Sequence, residues 1–245
     1  RVHHAHLVLR NILKGAVKDK RLETNPAEGV DLPTLPMRGE HLYLTPAQLF
    51  ALADAIGPHY RALILTLGMC GLRWGEAAGL RVEDVDLLRK RLHIRRNLSD
   101  PDGVLVETSP KTHQQRWVPM PKQVVEAITP LMDRPPEARL FTTTKGNDLR
   151  VGNFRRNAFD KAAAQVGLPG LKPHTLRHAA VSAAIQAGGN VKDVQRMVGH
   201  KRASMTLDVY SAVFEEGLDD LAQRIGEIAD RDSKEPPHQL GSGGS

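Results

Sequence analysis

Apolar residues recur along most of this chain at every third and fourth position, the period of amphipathic helices. "RVHHAHLVLRNILKGAVKDKRL" reads as the first, with Val2, Leu9, Ile12, Leu13 and Val17 on its apolar face and His3, His4 and His6 on polar positions. In "TPAQLFALADAIG", Thr45 is the expected N-cap, Pro46 takes the first helical position and Gln48 completes a capping box. Leu49, Leu52, Ala53 and Ile56 then form one stripe, and "YRALILTLGMCG", apolar on nearly every side, predicts a buried helix. "LRWGEAAGL" predicts a short helix after Gly71. Further helices are expected at "KQVVEAITPLM", "NFRRNAFDKAAAQVG", "HTLRHAAVSAAI", "NVKDVQRMVGH", "SMTLDVYSAVFEE" and "LDDLAQRIGEIAD", the last with Leu218, Leu221, Ile225 and Ile228 as its stripe. Between about Arg91 and Met120 the period shortens. "RLHIRR", "GVLVET" and "QRWVPM", separated by "SDPDG" and "SPKTHQ", predict a three-stranded antiparallel meander with Lys111 in its second turn. The expected fold is α+β, mainly helical with one small antiparallel sheet.

Composition narrows the class. A chain of 245 residues can bury a full core. Its 34 Lys and Arg against 28 Asp and Glu, a net charge of +6, fit either a polyanionic partner or ordinary solubilising charge. Cys70 is the only cysteine, which excludes a disulfide framework and a cysteine-based zinc site within one chain. No apolar stretch is long enough to cross a bilayer and no signal peptide opens the sequence, so an intracellular protein is expected. "TNPAEGVDLPTLPMRGEH" is rich in Pro and Gly and reads as a linker, and "RDSKEPPHQLGSGGS" as a disordered tail ending in an engineered linker.

The chemistry gathers at "HTLRHAAVSAAI". On a helix His174 and His178 lie one turn apart, with Arg177 beside them. That spacing allows a metal site, a nucleic-acid grip or a catalytic centre. The metal reading lacks the central glutamate of the zinc-peptidase pair, and Arg177 would repel a cation. Elsewhere Arg73 opens a helix, Lys111 tips a turn, His200 follows Gly199 at a helix end, and Tyr210 sits in the next helix. Taken singly each has a plain alternative: Arg73 as ion-pair partner of Glu76, Lys111 as a solvated lysine, His200 against a helix dipole, Tyr210 in the core.

Taken together, "GLRWGEAAGL", the lysine of "SPKTHQQ", "HTLRHAAVSAAI" and "VGHKRASMTLDVYSAV" resemble, in order, the signature boxes of the tyrosine recombinases, or phage-type integrases. The spacing of Gly199-His200, Thr206 and Tyr210 also fits that family. The resemblance covers residues 45–230, and residues 11–30 are similar to the last helix of a core-binding domain. It implies residues 1–24 as the remnant of that domain, 25–41 as a linker, 42–230 as the catalytic domain and 231–245 as the tail.

The resemblance further implies Tyr210 as the nucleophile on a DNA phosphodiester, giving a 3′-phosphotyrosyl link and a free 5′-hydroxyl. Arg73 and Arg177 would hold the non-bridging oxygens, His174 would exchange a proton with the tyrosine, and His200 would donate to the same phosphate. Lys111 would protonate the leaving 5′-oxygen, while Glu76 and His178 would orient the arginines. No metal, ATP or other cofactor is expected, since two guanidiniums supply the charge a divalent ion would. The implied partners are double-stranded DNA attachment sites, a homotetramer on that DNA and DNA-bending accessory proteins, with no membrane, in the nucleoid of a bacterial cytoplasm. A phage or mobile-element integrase is the leading expectation. The alternatives are a Xer-type chromosome-dimer resolvase, a type IB topoisomerase-like relative, a non-catalytic DNA-binding relative, and a metal-dependent phosphodiesterase.

Overall fold

The computed structural model describes residues 2–34, 44–109, 115–199 and 226. Lys111, His200, Tyr210 and the last two expected helices, apart from Gly226, therefore lie outside the described residues. The chain divides into two compact units, residues 1–42 and residues 43–245.

In the first unit, helix α1 spans Val2–Lys18. The Nε2 atoms of His3 and His6 donate to the carbonyls of Pro33 and Ala27 at 2.7 and 2.9 Å, and Asn25 donates to the carbonyl of Arg10 at 3.0 Å. Residues 25–33 thus fold back along the helix. The apolar positions Val2, Leu9 and Ile12 remain exposed, at 57%, 51% and 65%.

The second unit is built on helices α2 (Pro46–Ala55), α3 (Pro58–Cys70) and α8 (Pro173–Gln186), with α3 against both of the others. The Thr45 hydroxyl accepts from the Gln48 N–H and the Gln48 side chain accepts from the Thr45 N–H, which is the expected capping box. Leu63, Ile64, Leu65 and Leu67 of α3 are all essentially inaccessible, as an all-round apolar helix demands. Helix α3 ends at Gly71 in the left-handed conformation, φ 66°. A Cβ there would also come within 2.9 Å of the Val198 side chain, so glycine is required for conformation and for space.

Helix α4 (Trp74–Gly79) follows, then strands β1 (Val85–Asp86), β2 (Arg91–Ile94), β3 (Asn97–Ser99), β4 (Val106–Thr108) and β5 (Arg116–Pro119). The expected meander is corrected here. The three-stranded antiparallel sheet has the order β1-β2-β5, with Leu92 opposite Val118, and β4 pairs only with β3 in a separate hairpin. The reason lies in burial. Leu92, Ile94 and Val118 are fully buried on one face while Arg91, His93 and Trp117 face outward, an alternation that docks a sheet on a core. Strand β4 is exposed at every position and has no apolar face to bury.

Charge fastens that region instead. Glu107 of β4 receives Arg81 at 3.1 Å and Arg139 at 2.8 Å. Asp84, 2% exposed, receives Nε of Arg95 at 2.5 Å and Nη1 of Arg96 at 2.6 Å, the two residues that join β2 to β3. A buried carboxylate is tolerable only when so paired.

Helix α5 (Lys122–Ile128) covers one side of α3. Helices α6 (Val151–Phe154) and α7 (Asp160–Gln165) are joined by a π-helical turn over Arg155–Phe159. Phe154 packs between Trp74 and Tyr60, with ring centroids 4.9 and 5.1 Å away. Finally α9 (Val191–Val198) sets Val194 and Val198 against Val181 and Ile185 of α8. Asn190 caps its start by accepting the Asp193 N–H at 2.9 Å, and Gly199 ends it at φ 69°. Among the described residues no helix is long and apolar enough to cross a membrane.

Candidate active site

Three chain segments far apart in sequence meet at the C-terminal end of α9. Arg73, the N-cap of α4, donates through Nη2 to the carbonyl of Gly199 at 2.7 Å. Arg177, on the first turns of α8, donates to the carbonyls of Gly71 and Val198 at 2.5 and 2.6 Å. Arg116, at the start of β5, donates through Nε to the carbonyl of Met197 at 3.0 Å. Three guanidiniums thus satisfy three successive carbonyls that the end of a helix leaves unpaired. Positive charge there also complements the negative end of the helix dipole.

Glu76 neutralises part of this charge. Its carboxylate accepts from the Arg73 N–H at 2.9 Å and from Arg73 Nη1 at 2.9 Å. It also accepts from both terminal nitrogens of Arg116, at 3.0 and 2.7 Å. Glu76 is 1% exposed, and burial opposes its charge. Arg116 and Arg73 more than offset that and hold its carboxyl below the usual carboxylate range.

Arg177 is itself only 3% exposed. Burial, with the positive charge of Arg73, pulls its guanidinium down to about 9, still protonated at neutral pH. His174 is exposed one turn before His178, the two rings edge to face with centroids 5.1 Å apart. Desolvation and the charges of Arg177 and Arg73 hold His174 below its usual range, which favours its neutral form. Arg73 and His174 open onto a pocket of about 390 Å³ whose wall includes Trp74, Asn97, Ser99 and Arg150. The described residues contain no group of three His, Cys, Asp or Glu side chains placed to hold a metal ion.

Of the residues singled out from sequence, the structure therefore brings together Arg73, Glu76, His174, Arg177 and His178. Lys111, His200 and Tyr210 lie outside the described residues, although Gly199, the neighbour of His200 in the chain, is held by Arg73. Sequence reasoning passed over Arg116. In "QRWVPM" it reads as an ordinary strand-end charge, and only the tertiary contact with Glu76, 40 residues away, distinguishes it.

The arrangement can do one thing well. It presents the Arg73 guanidinium and the His174 imidazole to an anion arriving from the pocket, with more cationic than anionic charge behind them.

Comparison with known proteins agrees with the resemblance in the sequence. The integrase of Mycobacterium phage D29 is 32% identical over 237 residues, which cover 92% of this chain and 62% of that protein. This chain thus spans less than two thirds of that relative's length. Tyrosine recombinase XerD of Pseudomonas aeruginosa is 29% identical over 234 residues, covering 88% of this chain and 72% of that protein. A Tn1549 transposon integrase solved with a circular intermediate DNA shares the fold, with a TM-score of 0.73 at 24% identity over 85% of this chain and 74% of that one. Residues 43–216 match the phage integrase family, and the chain belongs to it.

Proposed function

We propose that this chain is the strand-cleaving and strand-joining part of a site-specific DNA recombinase, acting on duplex attachment sites during integration of a phage or mobile element. One observation carries the reading: Arg73, Arg116 and Arg177 converge with the single carboxylate of Glu76 beside an open pocket. Buried cations in excess of their counter-ions are costly, and a phosphodiester is the anion that completes the set.

On this reading Arg73 and Arg177 keep their remaining N–H donors for the non-bridging oxygens, where charge gathers as the phosphorus becomes five-coordinate. The Tyr210 oxygen attacks phosphorus, its proton passing to neutral His174. The new P–O bond links Tyr210 to the 3′-phosphate, the bond to the 5′-oxygen breaks, and Lys111 supplies the proton that oxygen needs. His200 donates to the same phosphate, and Glu76 and His178 orient the arginines. Because the phosphotyrosyl link retains the bond energy, a 5′-hydroxyl from another strand reverses the step without ATP.

Residues 42–230 are the catalytic domain in this proposal, and residues 1–24 the end of a core-binding domain joined through residues 25–41. A homotetramer on DNA, DNA-bending partners and a place in the bacterial nucleoid belong to the same reading. The match to XerD supports chromosome-dimer resolution as the second reading, at lower identity than the phage relative.

The test is a nicked duplex from which the short 5′ fragment diffuses after cleavage. Wild-type protein should form an adduct on the 3′-phosphate that survives SDS, and Tyr210→Phe should form none while binding the duplex equally well. An adduct that persists in the phenylalanine variant would overturn the assignment.

A further inference from the structure

The established pattern of this site does not explain why Arg73 points as it does. Arg73 is only partly covered, its side chain 22% exposed, and its guanidinium is held between Glu76 and the Gly199 carbonyl. Glu76 is shared with a second arginine. Its two oxygens are each taken a second time by Arg116, whose side chain is 11% exposed and enters from the opposite strand end.

Arg116 also fixes the other half of the site. Its Nε holds Met197, and its guanidinium lies so close to Gly199 that a Cβ there would stand 3.0 Å from Cζ. It therefore packs flat on the backbone that leads directly into His200. A planar fork is suited to this. It can pair with both oxygens of one carboxylate while its remaining N–H reaches a carbonyl, which a lysine cannot do.

We infer that Arg116 is a positioning residue of the strand-transfer centre, setting Arg73 through Glu76 and fixing the end of α9 at Met197 and Gly199. This rests on the function proposed above and extends it to a residue that acts through Glu76 and the end of α9.

Arg116→Met removes the fork and keeps the apolar bulk, and Arg116→Gln serves if the methionine variant does not fold. Single-turnover adduct formation should fall on the order of a hundredfold, the scale of a misplaced catalytic group, with duplex affinity little changed. In an Arg73→Ala background the same substitution should cost clearly less than in wild type, because the part of its effect that passes through Arg73 is already lost and only the grip on α9 remains. A purely structural residue would give losses that multiply across the two sites, and that result overturns the inference. Hydrogen exchange in residues 195–199 reads the grip without catalysis and should quicken in Arg116→Met. If wild-type protein forms no adduct the recombinase reading fails, while quickened exchange would still establish the grip on α9. Unchanged exchange with wild-type cleavage overturns the inference itself.

Discussion

Arg177 donates to the carbonyl of Val198 at 2.6 Å, which ties the start of α8 to the end of α9 by way of a side chain 3% exposed. The same guanidinium reaches Gly71 at 2.5 Å, so the turn that presents Arg73 is fastened by Arg177.

The fork is essential to that double contact. Arg177→Lys keeps a positive charge but cannot reach both carbonyls, leaving at least one buried acceptor unpaired. Urea denaturation should show a loss of about 1–3 kcal/mol, the cost of one such group. Adduct formation should fall as well. Stability equal to wild type would mean that the carbonyls find other donors.

His174 should titrate below 6.5 in the DNA-free protein, since desolvation and two arginines disfavour its protonated form. Its neutral form, the one able to accept a proton, therefore persists to lower pH than in a free histidine. Following the His174 ring protons by NMR across pH 4–8 tests this, with the sweep chosen to span roughly two units either side of an ordinary histidine. Arg73→Ala should move the midpoint upward by removing one of the two charges. A midpoint at or above 6.5 in wild type would contradict the site's electrostatics.

Glu76 gives a stability signature with the opposite pH sense. Its folded carboxyl titrates below the usual 4.5, so the stabilisation is fully present above that value and is lost as pH falls through the folded value. Glu76→Gln should cost about 3–5 kcal/mol near pH 7, the range for breaking a buried pair. The gap between variant and wild type should narrow as the solution is acidified below 4.5. A gap that is constant from pH 7 to about pH 3 would show that charge at Glu76 plays no part in folding.

Lys111 is tested by the leaving group. An alkoxide must be protonated as it departs, whereas a thiolate need not be. Lys111→Ala should slow cleavage of ordinary DNA on the order of a hundredfold and regain nearly wild-type cleavage when the scissile 5′-oxygen is replaced by sulfur. Arg73→Ala should show far less rescue, because the non-bridging oxygens are unchanged. A Lys111→Ala variant equally impaired on both substrates would move the acid role to His174 or His200.

The helical elements were legible because each carries its own local signal. Thr45, Pro46 and Gln48 announce the start of α2, and the unbroken apolar run of α3 admits only a buried helix. The site boxes were legible for a similar reason: Arg73 with Glu76, and His174 with Arg177 and His178, sit close together in sequence on helix starts. The sheet was less so. Pairing depends on which residues have a face to bury, and the exposed β4 could be told from β5 only once the core was built.

Sequence by itself determined the kinds of element, the residue types at the site and their order, since capping, apolar period and motif spacing all act over a few residues. Tertiary structure alone decided that Arg73, Arg116 and Arg177 share the end of α9, that Glu76 is divided between two of them, and that His174 is held below its ordinary range. Those facts depend on burial and on the meeting of groups 21 to 126 residues apart. Charge acts through space and its cost is set by exclusion of water, neither of which has a local pattern in the chain.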